Sequence, residues 1–111
     1  MMNVSDLAAA LDGRSLWDGW QDRRVSGGYT SDLLSDVMGR AGEGQVLITI
    51  QAHKNTVAVA VLKDLAALLI ASDRPVPEDM IEAARDEDIP LFVSPHDQFA
   101  CSWKLKEALG S

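Results

Sequence analysis

Apolar positions along this chain fall into short dense runs, and the period within each run predicts its structure. QVLITI, residues 45–50, is a continuous β-branched run with the length of a strand buried on both faces. IPLFV, residues 89–93, is a second such run. From Thr30 to Ala41 the period is helical, because Leu33, Leu34, Val37, Met38 and Ala41 fall on one stripe. The C-terminal segment behaves likewise. Cys101, Leu105, Ala108 and Leu109 face inward, Gly110 closes the helix, and Ser94, Pro95 and Asp97 supply a cap, a first-turn proline and an acid.

NTVAVAVLKDLAALLIAS reads in two ways. Thr56–Val61 alternates as a strand would, but the apolar run Leu65–Ala71 follows at once. A hairpin through Leu62–Asp64 would have no glycine, asparagine or proline to turn on. The connection therefore predicts a helix over Thr56–Lys63, capped by Asn55, and a strand over Ala67–Ala71. Pro75 and Pro77 end a loop before a helix with Glu78 and Asp79 in its first turn and Met80, Ile81 and Ala84 inward. Near the start, Ser5 caps a short helix that ends before Gly13, and strands are expected at Ser15–Trp17 and Arg24–Ser26. Strand and helix alternate four times from Arg24 onward. The expected fold is α/β: a single three-layer α/β/α domain over residues 1–111, with a small, largely parallel sheet.

Composition narrows the function classes. The 111 residues carry 17 acidic against 10 basic side chains, a net charge of −7, which excludes a general nucleic-acid binder. The lone Cys101 allows no intrachain disulfide and reads as a small buried hydrophobe. The start lacks the pattern of a signal peptide, and the most apolar stretch, Thr56–Ser72, is broken by Lys63 and Asp64. No membrane partner is expected, and the cytoplasm is the expected compartment. A chain this short has little interior for three tryptophans, so Trp17, Trp20 or Trp103 is expected to anchor a homodimer.

Candidate chemistry lies at two places. Gly27 and Gly28 sit between a strand-like and a helix-like stretch, with Tyr29, Ser31 and Asp32 beside them, where free N–H groups can hold an anion. Asp32 falls in the expected first turn, however, and its carboxylate would repel a phosphate. The glycines therefore read first as a hinge with φ > 0 and second as a ligand contact. Gln51, His53 and Asn55 follow QVLITI, at the strand end where open α/β sheets place ligands. They can point into one crevice, or form a polar loop in which Asn55 only caps the next helix. His53 and His96 with a carboxylate are a conceivable metal set, but no spacing such as H-E-x-x-H supports one. Neither a metal nor a cofactor is expected.

Asp22-Arg23-Arg24-Val25-Ser26-Gly27-Gly28, followed by Tyr29-Thr30-Ser31-Asp32-Leu33-Leu34, resembles the DRTGG domain family. ITIQAHKNTVAVAVLKDLAALLIA is similar to the family's second signature. Ser26 stands where the family name has threonine, and a residue pair is inserted after Asp-Arg. The resemblance covers nearly the whole chain. It implies an α/β fold like the N-terminal domain of bacterial HPr kinase/phosphorylase, a regulatory role and pairing as dimers, with relatives alone or between CBS domains of a pyrophosphatase. It carries no catalytic residues. A kinase would need G-x-x-x-x-G-K-[ST] and a magnesium ligand, and this sequence has neither that string nor G-x-G-x-x-G. The expected function is a non-catalytic regulatory module binding a small ligand, such as a nucleotide or phosphorylated compound, or a partner protein. The alternatives are a small hydrolase or transferase using His53 and Asp32, or an assembly subunit without a pocket.

Overall fold

The structure, a computed structural model, describes residues 1–110. In chain order its elements are β1 (Met2–Asn3), α1 (Leu7–Leu11), β2 (Arg14–Ser15), β3 (Arg24–Val25), β4 (Gly27–Thr30) and α2 (Leu34–Arg40). Then come β5 (Gln45–Thr49), α3 (Lys54–Leu62), β6 (Ala67–Ile70), α4 (Glu78–Asp86), β7 (Leu91–Val93) and α5 (Gln98–Ala108). The main sheet has the order β2-β7-β6-β5-β4. β4 to β7 are mutually parallel, and β2 closes the far edge antiparallel to β7. β1 and β3 form a separate antiparallel ribbon.

The buried runs explain the layering. Alternate residues of a strand point to opposite faces, so each run serves two cores. Leu47, Leu68, Ile70, Leu91 and Val93 pack with Val37 of α2, Val57 and Ala60 of α3, and Met80 and Ala84 of α4. Val46, Ile48, Leu69 and Phe92 pack on the other face with Leu7 and Leu11 of α1 and with Cys101 and Leu105 of α5. The result is the expected α/β/α layering around a largely parallel sheet.

The ambiguous VAVAV run is helical, as the connection argument required, and occupies α3. Several boundaries differ from expectation. The glycine pair is no hinge. Gly27 and Gly28 are strand residues of β4, in parallel register with Gln45 and Val46. Arg24–Val25 pairs with the N-terminal ribbon instead of the main sheet. The left-handed glycine of this region is Gly44, at φ +79°, just before β5. Helix α2 starts at Leu34, four residues later than its stripe suggested.

The caps move as well. His53, not Asn55, caps α3, its Nδ1 accepting from the Asn55 N–H at 3.0 Å. Asp97, not Ser94, caps α5 through the Ala100 N–H at 2.9 Å. Ser94 is buried and donates to the Leu11 carbonyl at 2.7 Å. Ser5 caps nothing and donates to the Asp22 carboxylate at 2.7 Å.

Two of the three tryptophans turn inward. Trp17 is 8% exposed, and its indole N–H donates to the Ile89 carbonyl at 2.9 Å. Trp20 meets Phe92 edge-on at 5.7 Å and donates to Ser15 Oγ at 3.0 Å. Trp17 is thereby not free to anchor a partner, whereas Trp20 is half-buried. Trp103, 45% exposed beneath the Lys104 ammonium, is the most exposed of the three. Among the described residues, no helix is long and apolar enough to cross a membrane.

Candidate functional site

The carboxyl edge of the sheet gathers Ser31 and Asp32 after β4, Gln51 and His53 after β5, and Gln98 at the start of α5. Asp32 organises the edge. Its Oδ1 accepts from the Thr49 hydroxyl at 2.9 Å, the Ile50 N–H at 2.9 Å and the Gln98 amide at 3.0 Å. The Leu33 N–H meanwhile donates to Ser31 Oγ at 3.2 Å. These bonds hold residues 31–33 out of helical geometry and delay α2. Asp32 is thus not a first-turn acid that would repel an anion at a helix start. It is a three-way tie between β4, β5 and α5, through a charge-assisted set of bonds.

The other candidates divide. Gln51 and His53 are exposed beside this tie. The Gln51 carbonyl accepts from the buried Thr56 hydroxyl at 2.9 Å, while its side chain remains free to face solvent. Tyr29 lies on the opposite side of the tie, where its hydroxyl donates to Asp36 Oδ2 at 2.7 Å. That bond holds the Asp36 carboxyl below its usual range and raises the Tyr29 phenol above its own. Gly28 faces α5. A Cβ placed there would fall 2.5 Å from Leu105 Cδ2, so this glycine makes room for helix α5. The hollow between them holds about 120 Å³, too small for a metabolite. Gly27 meets nothing closer than the Gln45 side chain at 3.8 Å.

His53 and His96 do not assemble a metal set. His96 Nε2 instead meets Asp12 Oδ2 at 2.7 Å, and among the described residues no three His, Cys, Asp or Glu side chains are placed to share an ion. Asp12 is held below the usual carboxylate range by that His96 contact. Cys101 is fully buried, and burial pushes its thiol up, away from nucleophilic character.

Asn55 belongs to a different feature. With Lys54 it forms the polar end of an apolar groove of about 500 Å³ between α3 and α4, floored by Val57, Ala58, Val61 and Leu62. Gln98 and this groove were absent from the sequence reading. The groove had a signal, since Val57–Leu62 contains no polar position and must leave apolar side chains outward. Gln98 had none, because its partner lies in a loop remote in sequence.

Neither a protein-family model nor a curated protein matches the sequence. Among solved structures, the chain is similar to the CBS and DRTGG domains of the regulatory region of Clostridium perfringens pyrophosphatase, complexed with the activator diadenosine tetraphosphate. The TM-score is 0.70 at 14% identity, over 92% of this chain and 45% of that one. The chain has a DRTGG-like fold. Within this fold the Ser26–Gly28 stretch does structural work. Ser26 Oγ donates to the Glu43 carbonyl at 2.8 Å, its N–H donates to the Gly44 carbonyl at 2.9 Å, and Gly28 admits α5.

Proposed function

We propose that this chain is a non-catalytic regulatory module that senses a small ligand, with nucleotides and other phosphorylated compounds as the ligand class. The observation that carries the reading is the fold likeness, over 92% of the chain, to a regulatory region held with a nucleotide activator. The chemistry of the edge agrees. Asp32 Oδ1 is engaged by three donors and His53 Nδ1 by a backbone N–H, so neither is poised as an acid–base pair. Gln51 and His53 are exposed polar side chains left to meet a ligand there, while Asn55, in the first turn of α3, lines the neighbouring groove. A thermal-shift series with diadenosine tetraphosphate, ATP and AMP tests the reading. At least one should raise the melting temperature in proportion to the logarithm of its concentration. No shift with any of them, at concentrations up to several millimolar, would leave the assembly-subunit reading in its place.

The module pairs with a second copy through the α3–α4 groove. Both helices run from the carboxyl to the amino edge of the sheet, so Lys54 and Glu87 mark opposite ends of the groove. A two-fold axis through its centre sets each Lys54 against the partner's Glu87 and buries Val61 and Leu62, which are 41% and 70% exposed in the single chain. Sedimentation should show a dimer that Leu62→Glu converts to monomer without lowering the melting temperature of the dilute protein. A wild-type monomer at about 100 μM, on the order of an interface free energy weaker than −5.5 kcal/mol, refutes the pairing.

A further inference from the structure

The geometry points to a second anion-binding site, formed by Arg14 and Arg74 and suited to a small phosphate monoester with an apolar or ring-shaped body. It opens at the same carboxyl edge as Gln51 and His53 but shares no residue with them, and it does not rest on the ligand reading given above. A hollow of about 270 Å³ opens where β2, the end of β7, the loop after β6 and the start of α4 converge. Arg14 and Arg74 line it, and Leu16, Val76, Ile81 and Val93 supply apolar walls.

Three observations converge on an anion. First, the chain has 17 acidic against 10 basic side chains, yet among the described residues neither guanidinium lies within ion-pairing distance of a carboxylate. Asp73 also lines the hollow and pairs with neither arginine. Both arginines are exposed and line one hollow, so each can turn its charge to an anion that enters it. Second, the loop that carries Arg74 is fixed in place. The Ser72 N–H donates to the His96 carbonyl at 2.7 Å and the Asp73 N–H to the Ser94 carbonyl at 2.8 Å, with left-handed φ of 61° and 50° at those two residues. Pro75 and Pro77 stiffen the remainder. Arg74 is thus presented on a pre-organised loop, which lowers the ordering cost of binding. Third, Arg14 pairs in register with Val93, the last residue of β7, so the hollow lies outside the carboxyl ends of the strands. A guanidinium offers a planar fork matched to phosphate oxygens, and two of them match a dianion. The volume admits one phosphate and a body of roughly one ring, below the roughly 300 Å³ at which drug-sized sites begin.

Phenyl phosphate is the probe, with inorganic phosphate and phenol as its separated halves, followed by amide chemical-shift mapping on the full chain. Phenyl phosphate should perturb residues 14–16 and 73–76 and saturate in the millimolar range, while each half binds at least tenfold more weakly. The double variant Arg14→Gln/Arg74→Gln should lose about tenfold or more in affinity and keep its melting temperature. Arg24→Gln, which removes an unpaired exposed arginine elsewhere, should bind as the wild type does. Shifts at other residues, unchanged affinity in the double variant, or equal weakening in Arg24→Gln would each overturn the site.

Discussion

Gly28→Ala should destabilise the fold by about 1 kcal/mol, the low end of the range for overpacking, because Gly28 is exposed and only the end of one side chain stands in the way of the added methyl group. The added Cβ would lie 2.5 Å from Leu105 Cδ2, and Leu105 is only 2% exposed, packed in the core with Val46 and Ile48. Leu105 must therefore turn its Cδ2 away, towards the hollow that it lines with Thr30, Ile48 and Leu109. Gly27→Ala should behave oppositely. Its new methyl group meets only the Gln45 side chain at 3.8 Å, and its backbone is not left-handed. Reduced freedom in the unfolded chain should make that variant neutral or more stable by about 0.4–1 kcal/mol. Urea denaturation of both variants checks the pair of signs, and a double change with Leu105→Ala should recover part of the Gly28 loss. Equal losses at Gly27 and Gly28 would restore the turn reading.

The second large effect is expected at Asp32. Asp32→Ala removes the shared acceptor of three donors, and Thr49 is fully buried, so its hydroxyl has little water to replace the lost bond. Leaving such donors without a partner costs about 2–3 kcal/mol. Asp32→Asn keeps an oxygen in place and should lose roughly half as much, because the charge assistance goes while the acceptor remains. Denaturation midpoints decide the matter. A catalytic aspartate would show the reverse: normal stability with lost turnover in both variants.

The layered fold was legible because buried parallel strands and amphipathic helices differ in period and in connection length. QVLITI and IPLFV are continuous apolar runs, and α3 could be assigned from the absence of turn residues between Val61 and Leu65. The glycine pair was misread for a physical reason. A GGYT segment has weak intrinsic strand preference, and it becomes a strand because β5 pairs with it and Leu105 fills the space a side chain would take. The start of α2 was misread because the acceptor role of Asp32 depends on Thr49, Ile50 and Gln98. No local window contains those residues. The same holds for Trp17 and Trp20, whose partners Ile89 and Phe92 come from the last third of the chain. Arg14 and Arg74 are unremarkable in sequence, and only the pairing of β2 with β7 brings them to one hollow.

The sharpest test of a sensing role over a catalytic one is a calorimetric titration with adenine nucleotides, run beside a phosphate-release assay on the same sample. Saturable binding to at least one nucleotide, weakened in His53→Ala and accompanied by no phosphate release, is the expected result. Phosphate release that survives stringent purification and disappears in His53→Ala would contradict it.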